Sequence, residues 1–156
     1  NEETNVQKFL DSNPAQFYAI RDKSKSGGIF KLKVDYDKVL DEIKGYSLFT
    51  INVSSANYVD NQLLVGEIFI SGTTVNAILS TNSGYSVRDA IRNPDFNFMT
   101  NIFDDKTLNQ IPCFDEIYKY IIDNKLKNTI VEFAYFDKPI GINKENIIIY
   151  ELRTDY

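Results

Sequence analysis

The sequence predicts an α+β fold, a mostly antiparallel sheet of about seven strands with two to three helices packed on one face. Three observations carry this. Short runs rich in β-branched and aromatic residues recur along the chain, several joined by connections of only a few residues, which favours antiparallel pairing. Helical periodicity appears in single segments between them, not in regular alternation with the strands. No Pro/Gly/Ser-rich linker, repeat or low-complexity stretch divides the 156 residues. The chain therefore reads as one domain, 1–156, with 1–13 as a loose N-terminal arm.

The first strand is 16–22 (QFYAIRD), aromatic and β-branched. The second, 29–35 (IFKLKVD), alternates, with Phe30, Leu32 and Val34 on one face and Lys31 and Lys33 on the other. The KSKSGG between them is short enough to close a hairpin. A helix follows at 37–45, where Val39, Leu40 and Ile43 share a face and Gly45 ends it. Then come a strand at 46–53, turn material at 54–61, and two strands at 62–71 and 73–80 around Gly72. In 81–94 a turn leads to a short helix with Ser86 as N-cap and Pro94 as stop.

Residues 95–111 are the least regular, and Phe96, Phe98, Met99 and Phe103 predict a packed excursion rather than a floppy loop. The clearest helix is 112–126: Pro112 suits a first turn, and Phe114, Ile117, Tyr118, Ile121 and Ile122 form an apolar stripe. Strands at 129–136 and 146–152 close the chain, paired across DKPIGINKE.

Composition bounds the chemistry. The chain is 43% hydrophobic and 25% charged, as in a folded globular domain, and its ten Tyr and eleven Phe promise a well-driven core. A net charge of −5, with lysines scattered along the chain, disfavours nucleic acid and anionic membranes as partners. No apolar run approaches the ~20 residues that span a bilayer. The start, NEETNVQKFLDSNP, lacks the pattern of a signal peptide. Cys113 is the single cysteine, which excludes an intrachain disulfide and favours a reducing, cytoplasmic setting. The absence of histidine excludes Ser-His-Asp and Cys-His nucleophile systems and any His-containing metal site. Acid–base work would fall to Asp, Glu, Lys, Tyr or that cysteine, and no catalytic residue is assigned.

Two groups of residues point to a ligand. In the 23–28 loop, Lys23 and Lys25 precede Gly27 and Gly28; backbone N–H groups around the glycines could form an anion-binding concavity that the lysines reinforce. Neither phosphate-loop glycine pattern is present, and a strand rather than a helix follows, so the loop reads equally as a basic hairpin turn. The second group is acidic. Pairing of the last two strands about Gly141 brings Glu132 and Glu151 close to cross-strand neighbours, where two carboxylates could hold Mg²⁺ or raise one another's pKa. Glu67 lies in a similar setting. The alternative is a solvent-facing pair bound to Arg153, and a one-residue slip in register would turn one acid to the opposite face. The polar stretch at 54–62 (Ser54, Ser55, Asn57, Asp60, Asn61) reads as a binding loop or as plain turn chemistry.

In outline the loop and the acids resemble the ATP-grasp arrangement: KSKSGGIF as the phosphate-covering loop, Glu132 or Asp137 as a first acid, YELRT (150–154) as the last ligand strand. Arg153 stands where that pattern has Asn, and 156 residues is short for the whole unit. The resemblance implies Mg²⁺–nucleotide binding and no more. Two functions follow as expectations: binding of an anionic, phosphate- or nucleotide-type small ligand with Mg²⁺, or a non-catalytic protein–protein interaction module.

Overall fold

The computed structural model describes residues 2–24, 30–140 and 145–154. The fold is α+β, with eight strands among the described residues arranged in two antiparallel sheets of three and five, in place of one sheet of about seven. The chain divides into two compact units, Asn1–Val59 and Asp60–Tyr156.

The first unit holds α1 (Glu2–Ser12), β1 (Phe17–Asp22), β2 (Phe30–Asp35), a 3₁₀ turn (Tyr36–Lys38) running into α2 (Val39–Ile43), and β3 (Phe49–Val53). Its sheet order is β2-β1-β3. The expected loose arm is instead α1, because Val6 and Leu10, four residues apart on one helical face, are buried with Tyr18, Ile20, Val34, Val39 and Ile43. Tyr18 fastens the end of that helix: its hydroxyl donates to Asn13 O (2.6 Å) and accepts from Ala15 N–H (3.0 Å), so a fully buried ring keeps its polar tip satisfied. The predicted hairpin forms, with Arg21 opposite Phe30. Only Val34 of β2 is buried, since the core lies at that end of an edge strand and leaves Phe30 and Leu32 exposed.

A 3₁₀ segment (Ser55–Asn61) leads into the second unit, which holds β4 (Gln62–Ser71), β5 (Thr74–Ser80), α3 (Val87–Arg92), β6 (Phe96–Asn101), α4 (Asp105–Leu108), α5 (Phe114–Asp123), β7 (Thr129–Ile140) and β8 (Glu145–Thr154). Its sheet runs β6-β5-β4-β7-β8. Phe114, Ile117 and Ile121 of α5 bury against Ile68 and Ile70 of β4, Val75, Ala77 and Leu79 of β5, and Val131 and Phe133 of β7. Ile122 falls off the stripe and is exposed. Packing of α3 is against β4, β5 and β7, and a reciprocal capping box starts it: Ser86 Oγ accepts from Asp89 N–H, and the Asp89 carboxylate accepts from Ser86 N–H.

Residues 96–101 form a regular strand where an irregular excursion was expected. FNFMTN alternates at period two, so Phe96 and Phe98 pack on the α5-side core while Asn97, Met99 and Asn101 face away. The asparagines disguise a strand that β5 pairs along its length.

Gly66 marks the tightest point of this sheet. It sits on the central strand opposite Leu79 and Phe133, with φ of +150°. A Cβ there would lie 2.2 Å from Ile78 O and 2.9 Å from Leu79 Cα, both backbone atoms that cannot step aside. Gly66→Ala should therefore destabilise the second unit by about 3 kcal/mol, adding steric overlap to backbone strain. Chemical denaturation checks it; an unchanged midpoint would show that the strand can shift to admit a methyl group.

Candidate functional site

The acidic group assembles across three neighbouring strands. In register, Glu67 of β4 lies opposite Glu132 of β7, and Glu132 lies opposite Glu151 of β8. This places the three carboxyls in one row on the face away from α5, since Ile68 and Val131, one step along each strand, belong to the core beneath that helix.

A β-bulge is what puts Glu151 there. From Thr129 to Glu132 each pair of partners sums to one register; beyond it the register changes so that Phe133 faces Ile149 and Ala134 faces Ile148, leaving Tyr150 as the extra residue. Continued without the bulge, the inner register would set Tyr150 opposite Glu132 and turn Glu151 onto the core face beside Val131. The extra residue thus keeps a charged side chain out of the hydrophobic core and aligns it with its neighbour.

The row is electrostatically strained and partly compensated. Arg153 Nη1 lies 3.2 Å from Glu151 Oε2 and 3.7 Å from Glu132 Oε2. Glu132 is the enclosed member, its side chain 18% exposed against 50% for Glu151. Its carboxyl is pushed up from an ordinary 4.5 to about 7, first by the hydrogen bond it shares with Glu151, then by burial and by the Glu151 charge; Arg153 opposes the rise. Glu132 thus keeps its proton up to about pH 7 and holds it toward Glu151, as like charges brought together require. Such a pair can donate or accept a proton at pH 7. A dication would have to displace that proton beside an arginine, and among the described residues no group of three or more Asp, Glu, Cys or His side chains is arranged to hold a metal ion.

The basic loop is only partly in view. Lys23 stands exposed just beyond β1, its N–H donating to Leu48 O (2.8 Å). At the loop's root Asp22 accepts from Ser24 N–H (2.9 Å) and from the Ser24 hydroxyl, an Asx-type turn. Lys25, Gly27 and Gly28 lie outside the described residues. Lys23 belongs to the first unit and the three glutamates to the second.

Two other candidates resolve into architecture. Asn57 clasps Phe17 from both sides, accepting from its N–H (2.9 Å) and donating to its C=O (2.8 Å), so the Asn57 member of the 54–62 polar cluster is committed to closing the first sheet. Cys113 is fully buried and its thiol is pushed up to about 12 by that burial, which removes it as a nucleophile.

Sequence reading missed the edge of the second sheet. Strand β6 pairs only with β5 among the described residues. Ile102 N–H donates to Thr73 O (2.7 Å), so the alternation of the ladder turns the backbone N–H and C=O of Asn97 and Met99 and the N–H of Asn101 outward, while the Asn101 C=O accepts from Asp104 N–H (2.9 Å). Met99 and Phe103 are 70% and 80% exposed, the two most exposed large apolar side chains among the described residues. The period-two alternation of 96–101 was the available signal.

The raised pKa of Glu132 has a consequence of definite sign. A carboxyl that binds its proton more tightly when folded contributes stability below the unfolded pKa and loses it as pH rises through the folded value. This contribution should decline between about pH 4.5 and 7. Glu132→Gln keeps an amide that can donate to Glu151 and cannot ionise, so its melting temperature should gain on the parent's as pH rises through that window. Melting temperatures of the two proteins that keep a constant gap from pH 4.5 to 8 would remove the Glu132 proton from the account. No protein-family model, curated protein or solved structure was found to match the chain, so function is argued from this geometry alone.

Proposed function

We propose that the chain is a non-catalytic protein–protein interaction module that receives an extended segment on the open edge of β6. The observation that carries this is the edge itself: outward-facing N–H and C=O groups at Asn97 and Met99 and an outward N–H at Asn101, no charge from Phe96 to Phe103, and the exposed side chains of Met99 and Phe103 beside them. Proteins usually guard such edges with lysine, proline or a bulge, and an added strand gains main-chain hydrogen bonds along its length. In keeping with the buried thiol of Cys113, we place the chain in the cytoplasm. Among the described residues no helix is long and apolar enough to cross a membrane.

A library of displayed extended peptides, screened against the purified chain, tests the docking edge. Binders should slow amide exchange at Asn97, Met99 and Asn101, and Asn97→Pro should abolish binding while leaving the fold intact, because that N–H points away from β5. Binders that leave those three amides unprotected, or that tolerate the proline, would overturn this reading.

A second reading, an anionic phosphate- or nucleotide-type ligand with Mg²⁺, is favoured by one observation. Strands β1 and β2 pair as a hairpin, which sets the exposed Lys23 at the root of the loop that carries Lys25, Gly27 and Gly28. A thermal-shift screen of nucleotides and sugar phosphates, with and without Mg²⁺, decides it. A ligand at ~100 times its Kd should add about 2.7 kcal/mol. The double variant Lys23→Ala, Lys25→Ala should lose that gain with its ligand-free midpoint unchanged. A flat screen, or a ligand held equally well by the double variant, would leave the loop a basic turn.

A further inference from the structure

The open edges of the two sheets are not alike. Lys31 and Lys33 lie on β2, and Glu145, Glu151 and Arg153 on β8, charges that discourage a neighbouring strand. The edge strand β3 is uncharged, and its exposed residues are the small polar Thr50 and Asn52. The uncharged β3 is flanked by the exposed Leu48, but of the four edges only β6 is an uncharged strand that carries a large exposed apolar side chain, Met99, within the strand itself. A partner strand carrying charge of either sign would set it against groups that cannot compensate it, so the fitting partner is itself uncharged.

Its own sequence meets that requirement. With a second copy antiparallel about Met99, each outward-facing residue meets another: Met99 faces Met99, and Asn97 faces Asn101 in both halves. On the other face Phe98 meets Thr100, and Phe96 meets Ile102. Asparagine amides can donate and accept in the same pair, and the two thioethers pack without a geometric demand. The acids that flank the segment are already engaged. Asp95 accepts from Thr81 N–H (2.8 Å) and the Thr81 hydroxyl, and Asp104 from the Thr100 hydroxyl (2.5 Å) and Thr107 N–H (3.2 Å). In a chain of net charge −5, this is a stretch on which two copies can meet without like charges opposed.

We propose that two copies of this chain join through β6, antiparallel about a two-fold axis at Met99, into one continuous sheet. The proposal rests on the reading of β6 as a docking edge and names its occupant. One six-residue strand pairing belongs to the class of interfaces below about 1,200 Å² in total, so the association is weak and concentration-dependent.

Sedimentation equilibrium of the full chain over a wide concentration range tests it. The weight-average mass should climb from the 17.9 kDa of the monomer toward twice that value. Met99→Lys and Met99→Glu, each made at an exposed side chain, oppose like charges across the axis and should weaken self-association about tenfold or more. Mixed one to one, the two variants should associate again, because an ammonium on one copy then faces a carboxylate on the other. A fold defect would not be rescued by mixing. A monomeric parent at every concentration, variants that dimerise as the parent does, or a mixture that stays monomeric would each overturn the proposal. The peptide and amide-exchange result stands apart from these outcomes: peptides that protect the β6 amides of a monomeric chain would keep the docking edge and remove the self-partner.

Discussion

The second sheet depends on the pairing of β4 with β7. These strands are separated by two further strands and three helices in sequence, yet they are neighbours at the centre of the sheet. Everything on one side of that seam, β5 and β6, is reached by local connections, and β8 follows β7 directly. The seam therefore carries the main loop-closure cost, and it must form before the two local halves bury a common core. It is also where Gly66 brings backbone closest to backbone, and where α5 finds strands from both halves beneath it. The same seam sets Glu67 against Glu132, so the acidic row is a by-product of the pairing that makes the core.

The parts of this architecture that were legible in the sequence are those specified locally. The hairpin around Gly72, the Ser86 cap and the apolar stripe of α5 each follow from residues within a turn or two of one another, and each forms. The juxtaposition of Glu132 and Glu151 was legible as a conditional, because their alternation with apolar neighbours put both on a definite side of their strands. Whether those sides coincide depended on Tyr150, and nothing in the residue pattern marks it as the extra residue of a bulge. Strand β6 was hidden for a different reason. Asparagine has poor strand propensity, and the benefit of pairing comes from β5, a partner that a local reading does not weigh. For α1 the missing term was tertiary as well: Val6 and Leu10 make a thin stripe that becomes decisive only over the first sheet.

The two faces of the larger sheet divide labour. The face beneath α5 is filled largely by aliphatic and aromatic side chains, and its buried Thr129 has its hydroxyl satisfied by Lys127 O. The other face carries the glutamates, Arg153 and the asparagines of β5 and β6, mixed with Phe69, Ile78 and Ile130, which are only half-buried. A face of this kind tolerates charge because water reaches it, and it holds a proton on Glu132 because water reaches it incompletely. Binding at the edge of such a sheet demands less than binding in a cavity. The main chain supplies the hydrogen bonds, and the side chains need only refrain from opposing.

The burial of Cys113 gives the second unit a built-in clock. The only thiol of the chain lies under the start of α5 with no solvent access. At probe concentrations where reaction outpaces reclosing, a thiol-reactive probe will modify it at the frequency with which that helix lifts from the sheet, and at no other site. The opening rate of this unit, in the unaltered protein, is thereby written into the progress of a single chemical reaction.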